Sequence, residues 1–155
     1  MRGAAVLRVV ASRSGKAAPG DLVVAFSGWR EMAVLAEGQF EAAKLPEGAR
    51  PTDLVGLLGL TGLTACFGLL RVGEPKRGET VVVSGAAGAT GSVVAQIAKH
   101  VLGCRVVAVA GGADKCRWLT DELGCDVAID YKADGWKDRF REATPDYIDV
   151  YLRQR

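Results

Sequence analysis

A short run of small residues between a buried strand and a helix start constrains the fold of this chain most. Residues 81–92 read VVVSGAAGATGS, in which an apolar strand passes directly into glycines and alanines. Aligned to the GxGxxG pattern, Ala86 takes the first position, Gly88 the second and Gly91 the third. The pattern is specific only when a strand precedes it and a helix follows it, and both conditions hold here. The segment therefore predicts the first βα turn of a dinucleotide-binding fold.

The predicted turn suits a pyrophosphate group. Gly88 lets the backbone approach the phosphates, and Gly91 lets the helix pack closely on the strand. Free N–H groups at the start of the helix, together with the helix dipole, stabilise negative charge. No Lys follows Gly91, so the GxxxxGK[ST] pattern of P-loops does not fit. The alternative is a helix start that requires small residues only for packing.

The chain after residue 50 alternates between apolar strands and helices. Strands are predicted over 80–84, 105–110, 127–129 and 148–151. Helices are predicted over 60–70, 93–101, 114–123 and 136–140. Continuous apolar strands separated by helices form a parallel sheet that is covered on both faces. The fold class is therefore α/β, with a Rossmann-type doubly wound parallel sheet.

The first fifty residues follow a different pattern, in which strands are separated by turns and not by helices. Strands are predicted over 4–11, 22–26 and 32–35, with a turn at 19–21. This arrangement predicts antiparallel β structure. The change of pattern at Pro51 predicts two regions, 1–50 and 51–155.

The most apolar stretch, 54–70, is interrupted by Gly, Thr and Cys, which favours buried helices over a membrane span. Leu60, Leu63, Phe67 and Leu70 recur at helical spacing and predict its buried face.

The end of the second predicted strand of the sheet favours NADP over NAD. NAD-binding folds place Asp or Glu about 20 residues beyond the glycine turn, where it binds the ribose 2′-OH. Here the segment 108–112 reads AVAGG and contains no acid. We expect Asp114 to cap the next helix, Lys115 to attract a 2′-phosphate, and Tyr131 to add a hydroxyl contact. The alternative for Lys115 is an ordinary solvated lysine.

Charge and composition exclude several classes of partner. The chain has 20 Lys and Arg against 18 Asp and Glu, a net charge of +2, so nothing favours nucleic acid or an anionic membrane. The first eight residues lack the long apolar core of a signal peptide. Four cysteines without a CxxC pair, and a single histidine, His100, predict no metal site and four buried thiols in a reducing cytoplasm.

Several segments resemble the medium-chain dehydrogenase/reductase superfamily. These are GLTA at 62–65, GLL at 68–70, GETVVVSGAAGA at 78–89 and QIAK at 96–99. The resemblance extends from about residue 19 to 151. It is strongest to the zinc-independent, NADP-dependent alkenal double-bond reductases, the branch that includes the prostaglandin reductases.

This resemblance implies a reaction and a set of cofactor contacts. The implied reaction transfers hydride from NADPH to the double bond of an α,β-unsaturated aldehyde or ketone, in the cytoplasm. The phosphate contacts fall on Gly88, Ala89, Thr90 and Gly91, and the 2′-phosphate contacts fall on the two residues discussed above, Lys115 and Tyr131. No catalytic residue is assigned. The family also implies a small-molecule enone or enal substrate, leaves a homodimer open, and assigns residues 1–50 to a GroES-like catalytic domain.

The chain also departs from the family pattern. Only the later strands of the GroES-like domain are present, the segment after Tyr151 lacks the family continuation, and Cys66 replaces a common aromatic residue. We therefore expect a fragment with a partial Rossmann domain that has little or no activity alone. Two alternatives stay open: a non-enzymatic, NADP-binding or partner-dependent module, and a quinone reductase-like oxidoreductase.

Overall fold

The computed structural model describes residues 3–153 and consists of two compact units, Met1–Thr61 and Gly62–Arg155. The α/β class predicted from the sequence is confirmed, with one antiparallel and one parallel sheet. The predicted domains, a partial GroES-like β region over 1–50 and a partial Rossmann domain over 51–155, stay a prediction.

The first unit contains a three-stranded antiparallel sheet. Its strands, in the spatial order β1-β2-β3, are β1 (Ala5–Arg8), β2 (Leu22–Ala25) and β3 (Phe40–Ala43). Val23 and Ala25 alternate along the central strand and are buried, as expected of a strand with one face on the core.

The third strand lies later in the chain than predicted. Residues 32–35 are irregular and not a strand, and Met32 and Val34 are exposed. The sheet instead uses Phe40–Ala43, which follows a short 3₁₀ helix, Glu37–Gln39. The sequence FEAA has weak β propensity, so only its pairing with β2 makes it a strand. A second 3₁₀ helix covers Pro51–Leu54.

The second unit contains a four-stranded parallel sheet in the spatial order β6-β5-β4-β7. Its strands are β4 (Thr80–Ser84), β5 (Arg105–Ala110), β6 (Val127–Asp130) and β7 (Val150–Arg153). Val81, Val82 and Val83 are fully buried on the central strand β4, because helices cover both faces of the sheet.

Four helices accompany the sheet. They are α1 (Leu60–Phe67), α2 (Ala89–Gln96), α3 (Ala113–Asp121) and α4 (Trp136–Ala143). Side chains of α1, α2 and α3 pack in one core with Val81 and Val83, and side chains of α4 pack with Val82 on the other face. This arrangement confirms the predicted doubly wound fold. No helix within residues 3–153 is long and apolar enough to cross a membrane.

The first two helices of this series end in π-helical turns that the sequence pattern does not reveal. α1 continues through Gly68–Gly73, and α2 continues through Ile97–Val101. Each turn follows its helix without a break, so the predicted spans 60–70 and 93–101 lie within the combined segments 60–73 and 89–101, the second of which begins four residues earlier than predicted.

The predicted buried face of α1 is wrong. Leu60, Leu63, Phe67 and Leu70 are 77%, 52%, 60% and 43% exposed. The buried face carries small residues and one leucine, namely Gly62, Ala65 and Leu69. Small side chains let the helix approach the sheet closely, and the methyl group of Leu152 lies 3.9 Å from the position of a Cβ on Gly68.

All four cysteines are free, but only two of them are buried. Cys104 and Cys125 lie in the core, whereas Cys66 and Cys116 are partly exposed, so the prediction of four buried thiols is wrong for these two. Burial, reinforced by the neighbouring Asp126 carboxylate, raises the pKa of Cys125 to about 11. This thiol is therefore protonated at neutral pH and acts as a small apolar core residue.

Candidate cofactor-binding site

The predicted phosphate turn lies at the carboxyl end of β4, in the middle of the parallel sheet. The chain passes from β4 to β5 and β6 on one side, and β7 lies on the other side. The strand order reverses at β4, and open α/β sheets bind ligands at the carboxyl ends of the strands at such a point. The Ala86 N–H donates to the Val109 carbonyl over 3.1 Å, which joins the turn to the end of β5.

Gly91 permits a contact between backbones that no other residue allows. A Cβ at this position would lie 2.4 Å from the carbonyl oxygen of Gly85 and 2.9 Å from the Cα of Ala86. Gly88 has slightly more room, since its Cβ would lie 3.1 Å from the same Gly85 oxygen. The third glycine of the pattern therefore serves helix packing, as the fingerprint requires.

The start of α2 carries no side-chain cap. The residue before it, Gly88, is extended, with φ −84° and ψ 169°. The first hydrogen bond into the helix runs from the Ser92 N–H to the Gly88 carbonyl over 2.9 Å. The N–H groups of Ala89, Thr90 and Gly91 precede it and have no acceptor within the helix. The structure thus brings the four predicted phosphate residues together at one uncapped helix start, which is suited to an anion.

A second glycine turn follows β5 and leads into α3. Gly112 has φ +106° and is the residue before the helix, where Asp114 was expected as the cap. That expectation is wrong: a cap at Asp114 would require α3 to begin at residue 115, whereas it begins at Ala113. Asp114 lies inside the first helical turn and pairs with Arg117. No acid ends β5, in agreement with the sequence.

The first turn of α3 presents Lys115 to solvent. It lies three residues after Gly112, and no carboxylate among residues 3–153 forms an ion pair with it. An unpaired ammonium group therefore projects from the helix that follows the β5 turn.

Tyr131 reaches the same turn from the neighbouring strand. Its hydroxyl oxygen lies 2.8 Å from the position that a Cβ on Gly111 would occupy. The Tyr131 N–H donates to the Ala110 carbonyl over 3.1 Å, which holds the end of β6 beside the end of β5. The Tyr131 side chain thus lies against the β5 turn. The predicted contact between its hydroxyl and a cofactor stays a prediction.

The sequence pattern does not reveal one carboxylate that lies at this turn. Asp130 ends β6 opposite Ala110 on β5, and its Oδ1 accepts the N–H groups of Gly112 and Lys132, each over 2.9 Å. These two backbone hydrogen bonds, Gly112 first, hold the pKa of Asp130 below its usual value. An acid ending the third strand was the available signal, but only the strand register shows which turn it binds.

Within the described part of the chain, no group of three or more His, Cys, Asp or Glu side chains is placed to hold a metal ion.

Comparisons with known proteins agree with this geometry. Residues 89–153 match the family model described as "Zinc-binding dehydrogenase". The chain is 44% identical over 152 residues to the NADPH-dependent curcumin reductase of Escherichia coli, covering 97% of this chain and 43% of that protein. It is 42% identical over 155 residues to prostaglandin reductase 1 of Bos taurus, covering 98% and 46%.

A solved structure shows the same fold. CurA from Vibrio vulnificus, in complex with NADPH, superposes with a TM-score of 0.90 at 38% identity, covering 99% of this chain and 45% of CurA. The chain thus spans less than half the length of each of these relatives. The match extends over nearly the whole chain and includes both sheets. The chain therefore belongs to the medium-chain dehydrogenase/reductase superfamily, with curcumin and prostaglandin reductases among its relatives.

Proposed function

We propose that the chain forms the NADP-binding part of an oxidoreductase that reduces the carbon–carbon double bond of α,β-unsaturated aldehydes or ketones. The observation that carries this proposal is the uncapped start of α2. Gly91 lets this helix start pack closely on the backbone of Gly85, just after β4 in the middle of the sheet. A relative named an NADPH-dependent reductase and a superposable structure in complex with NADPH support it.

In this proposal the chain binds and orients the cofactor. The pyrophosphate accepts hydrogen bonds from the N–H groups of Ala89, Thr90 and Gly91, and Gly88 leaves room for its approach. Lys115 and Tyr131 bind the 2′-phosphate from the two neighbouring turns. The bound cofactor supplies the hydride, whereas the protein fixes its position. None of these residues is assigned as a catalytic acid or base.

The preference for NADP over NAD follows from the charges at the β5 turn. No acid follows β5 to bind the ribose 2′-OH. The carboxylate that does reach the turn, Asp130, is already occupied by two backbone N–H groups. The unpaired Lys115 then makes the local charge favourable for a phosphate.

Thermal protection by the two reduced cofactors tests the binding part of the proposal. We expect NADPH to raise the Tm of the chain more than NADH does at equal concentration, because a ligand stabilises a fold according to its affinity. Lys115→Gln is expected to reduce this difference. Equal protection by both cofactors, or none by NADPH, contradicts the proposed cofactor.

The reaction is tested separately by following the loss of NADPH absorbance with an α,β-unsaturated ketone, an α,β-unsaturated aldehyde and a quinone. Turnover of the first two but not the quinone supports the proposed reaction. Turnover of the quinone alone supports the quinone reductase-like alternative. The expectation of little turnover by the 155-residue chain alone is decided in the same assay.

A second candidate function is a module that acts with a partner. The exposed apolar side chains of α1, Leu63 and Phe67, favour it. Sedimentation of the purified chain distinguishes a monomer from a homodimer. A Phe67→Ser variant that dissociates a dimer supports this candidate, and a wild-type monomer that turns over substrate opposes it.

A further inference from the structure

The loop after β6 places two side chains against the turn after β5. In addition to the Tyr131 hydroxyl, the Cε of Lys132 lies 3.0 Å from the position that a Cβ on Gly111 would occupy. The ammonium group of Lys132 is one bond beyond this carbon. A cation from β6 thus approaches the same glycine turn from which α3 presents Lys115.

The backbone of this loop is fixed by Asp130. Its Oδ1 accepts the N–H groups of Gly112, on one turn, and Lys132, on the other, each over 2.9 Å. The strand register also sets Ala110 opposite Asp130. Both turns therefore share one anchor, which limits the movement of Lys132 relative to Gly111.

The ammonium group of Lys132 is available for a ligand. No described carboxylate forms an ion pair with it. Neighbouring cations are engaged: Arg141 pairs with Asp138 over 3.3 Å, and Arg139 donates to the Asp134 carbonyl over 3.3 Å. Lys132 also borders an open depression of about 440 Å³ that continues to α4.

We propose that Lys132 is a further specificity-determining residue, which binds the 2′-phosphate from the β6 side while Lys115 binds it from the α3 side. This inference rests on the proposed NADP site and adds a residue to it. Gly111 is part of the arrangement, because any side chain there would displace Tyr131 and Lys132 from the turn. A 2′-phosphate can accept charge-assisted contacts from two cations at once. Each contact is lost with NADH, so each contributes to the preference for NADPH.

The test compares Lys132→Gln with a matched control, Lys137→Gln. Lys137 borders the same depression, but its Nζ lies 6.0 Å from the centre of the Trp136 ring, on α4. Both variants remove one positive charge from an exposed position. Calorimetry would measure the Kd of each protein for NADPH, NADH, 2′,5′-ADP and 5′-AMP.

We expect Lys132→Gln to weaken binding of NADPH and 2′,5′-ADP by about tenfold, the usual scale of a charge-assisted contact. Its Kd for NADH and 5′-AMP should change by less than about twofold, and Lys132→Arg should keep most of the wild-type preference. The Lys137→Gln control should match the wild type with all four ligands.

The outcomes separate the inference from the proposed function. Equal weakening of all four ligands by Lys132→Gln, or no weakening of any, overturns the role of Lys132 while the proposed function stands. An equal loss of NADPH affinity in the Lys137 control shows only a general charge effect and also overturns it. A wild-type chain that binds NADH as well as NADPH overturns the proposed cofactor itself.

Discussion

At the scale of single residues, the two glycines at the start of α2 have separate roles. Gly91 faces backbone atoms that cannot move aside, with 2.4 Å between its hypothetical Cβ and the Gly85 oxygen. Gly88 faces the same oxygen at 3.1 Å, a distance that a small adjustment relieves. Gly91 is therefore needed for the close packing of α2, whereas we propose that Gly88 leaves room for the ligand.

Alanine substitution separates these two roles. Gly91→Ala should destabilise the fold by about 1–3 kcal/mol, the usual cost of overpacking. Gly88→Ala should leave the stability nearly unchanged but weaken NADPH binding by about tenfold or more, roughly 1.4 kcal/mol. Urea denaturation and calorimetry measure the two effects. Loss of stability in Gly88→Ala with unchanged NADPH affinity would show that the roles are reversed.

We expect the Asp130 carboxylate to make the folded state less stable as the pH falls into the acid range. Its pKa is lowered in the folded state by hydrogen bonds from the backbone of Gly112 and Lys132. Its contribution to stability is therefore complete above the unfolded pKa of about 3.9, and is lost as the pH falls through the lower folded value. NMR titration of the Asp130 carboxyl should give a pKa below that of an unfolded peptide.

The matched variant is Asp130→Asn, which keeps an acceptor oxygen but removes the titrating group. Its free energy of unfolding should fall less than that of the wild type between neutral pH and the acid range. Equal acid dependence of the two proteins would show that Asp130 does not contribute to it.

At the scale of helices and strands, the sequence pattern was reliable where burial dictates residue type. β4, β5 and β6 are continuous apolar runs because both faces of the sheet are covered, so their positions agree with prediction within one or two residues. β3 was missed because FEAA becomes a strand only through pairing with β2. The spacing of large apolar residues predicts the wrong buried face for α1, because its close packing against the sheet uses Gly62 and Ala65.

Leucine truncation on the α1 segment tests this reassignment. Leu69 is fully buried, and Leu69→Ala should cost about 2–5 kcal/mol. Leu63 is 52% exposed, and Leu63→Ala should cost about 1 kcal/mol or less. Denaturant unfolding measures the loss of stability in both variants, which make the same Leu→Ala change on the buried and the exposed face of the helix. A larger loss for Leu63→Ala would restore the original assignment.

At the scale of the whole molecule, the site is assembled from loops that follow three neighbouring strands. Residues such as Gly88 and Lys115 could be proposed from the sequence because they follow a strand at spacings typical of this fold class, and their role stays a prediction. Asp130 and Lys132 could not be located in this way, since their relevance depends on the register between β5 and β6.

The proposed function depends above all on binding of the cofactor pyrophosphate at the start of α2. Amide NMR of the chain during titration with NADPH tests it most directly. We expect the amide signals of Ala89, Thr90 and Gly91 to shift with both NADPH and NADH. Shifts specific to NADPH should appear at residues 111–115 and 131–132. Saturable binding of NADPH that leaves the amide signals of residues 88–91 unshifted would contradict a pyrophosphate site at the start of α2.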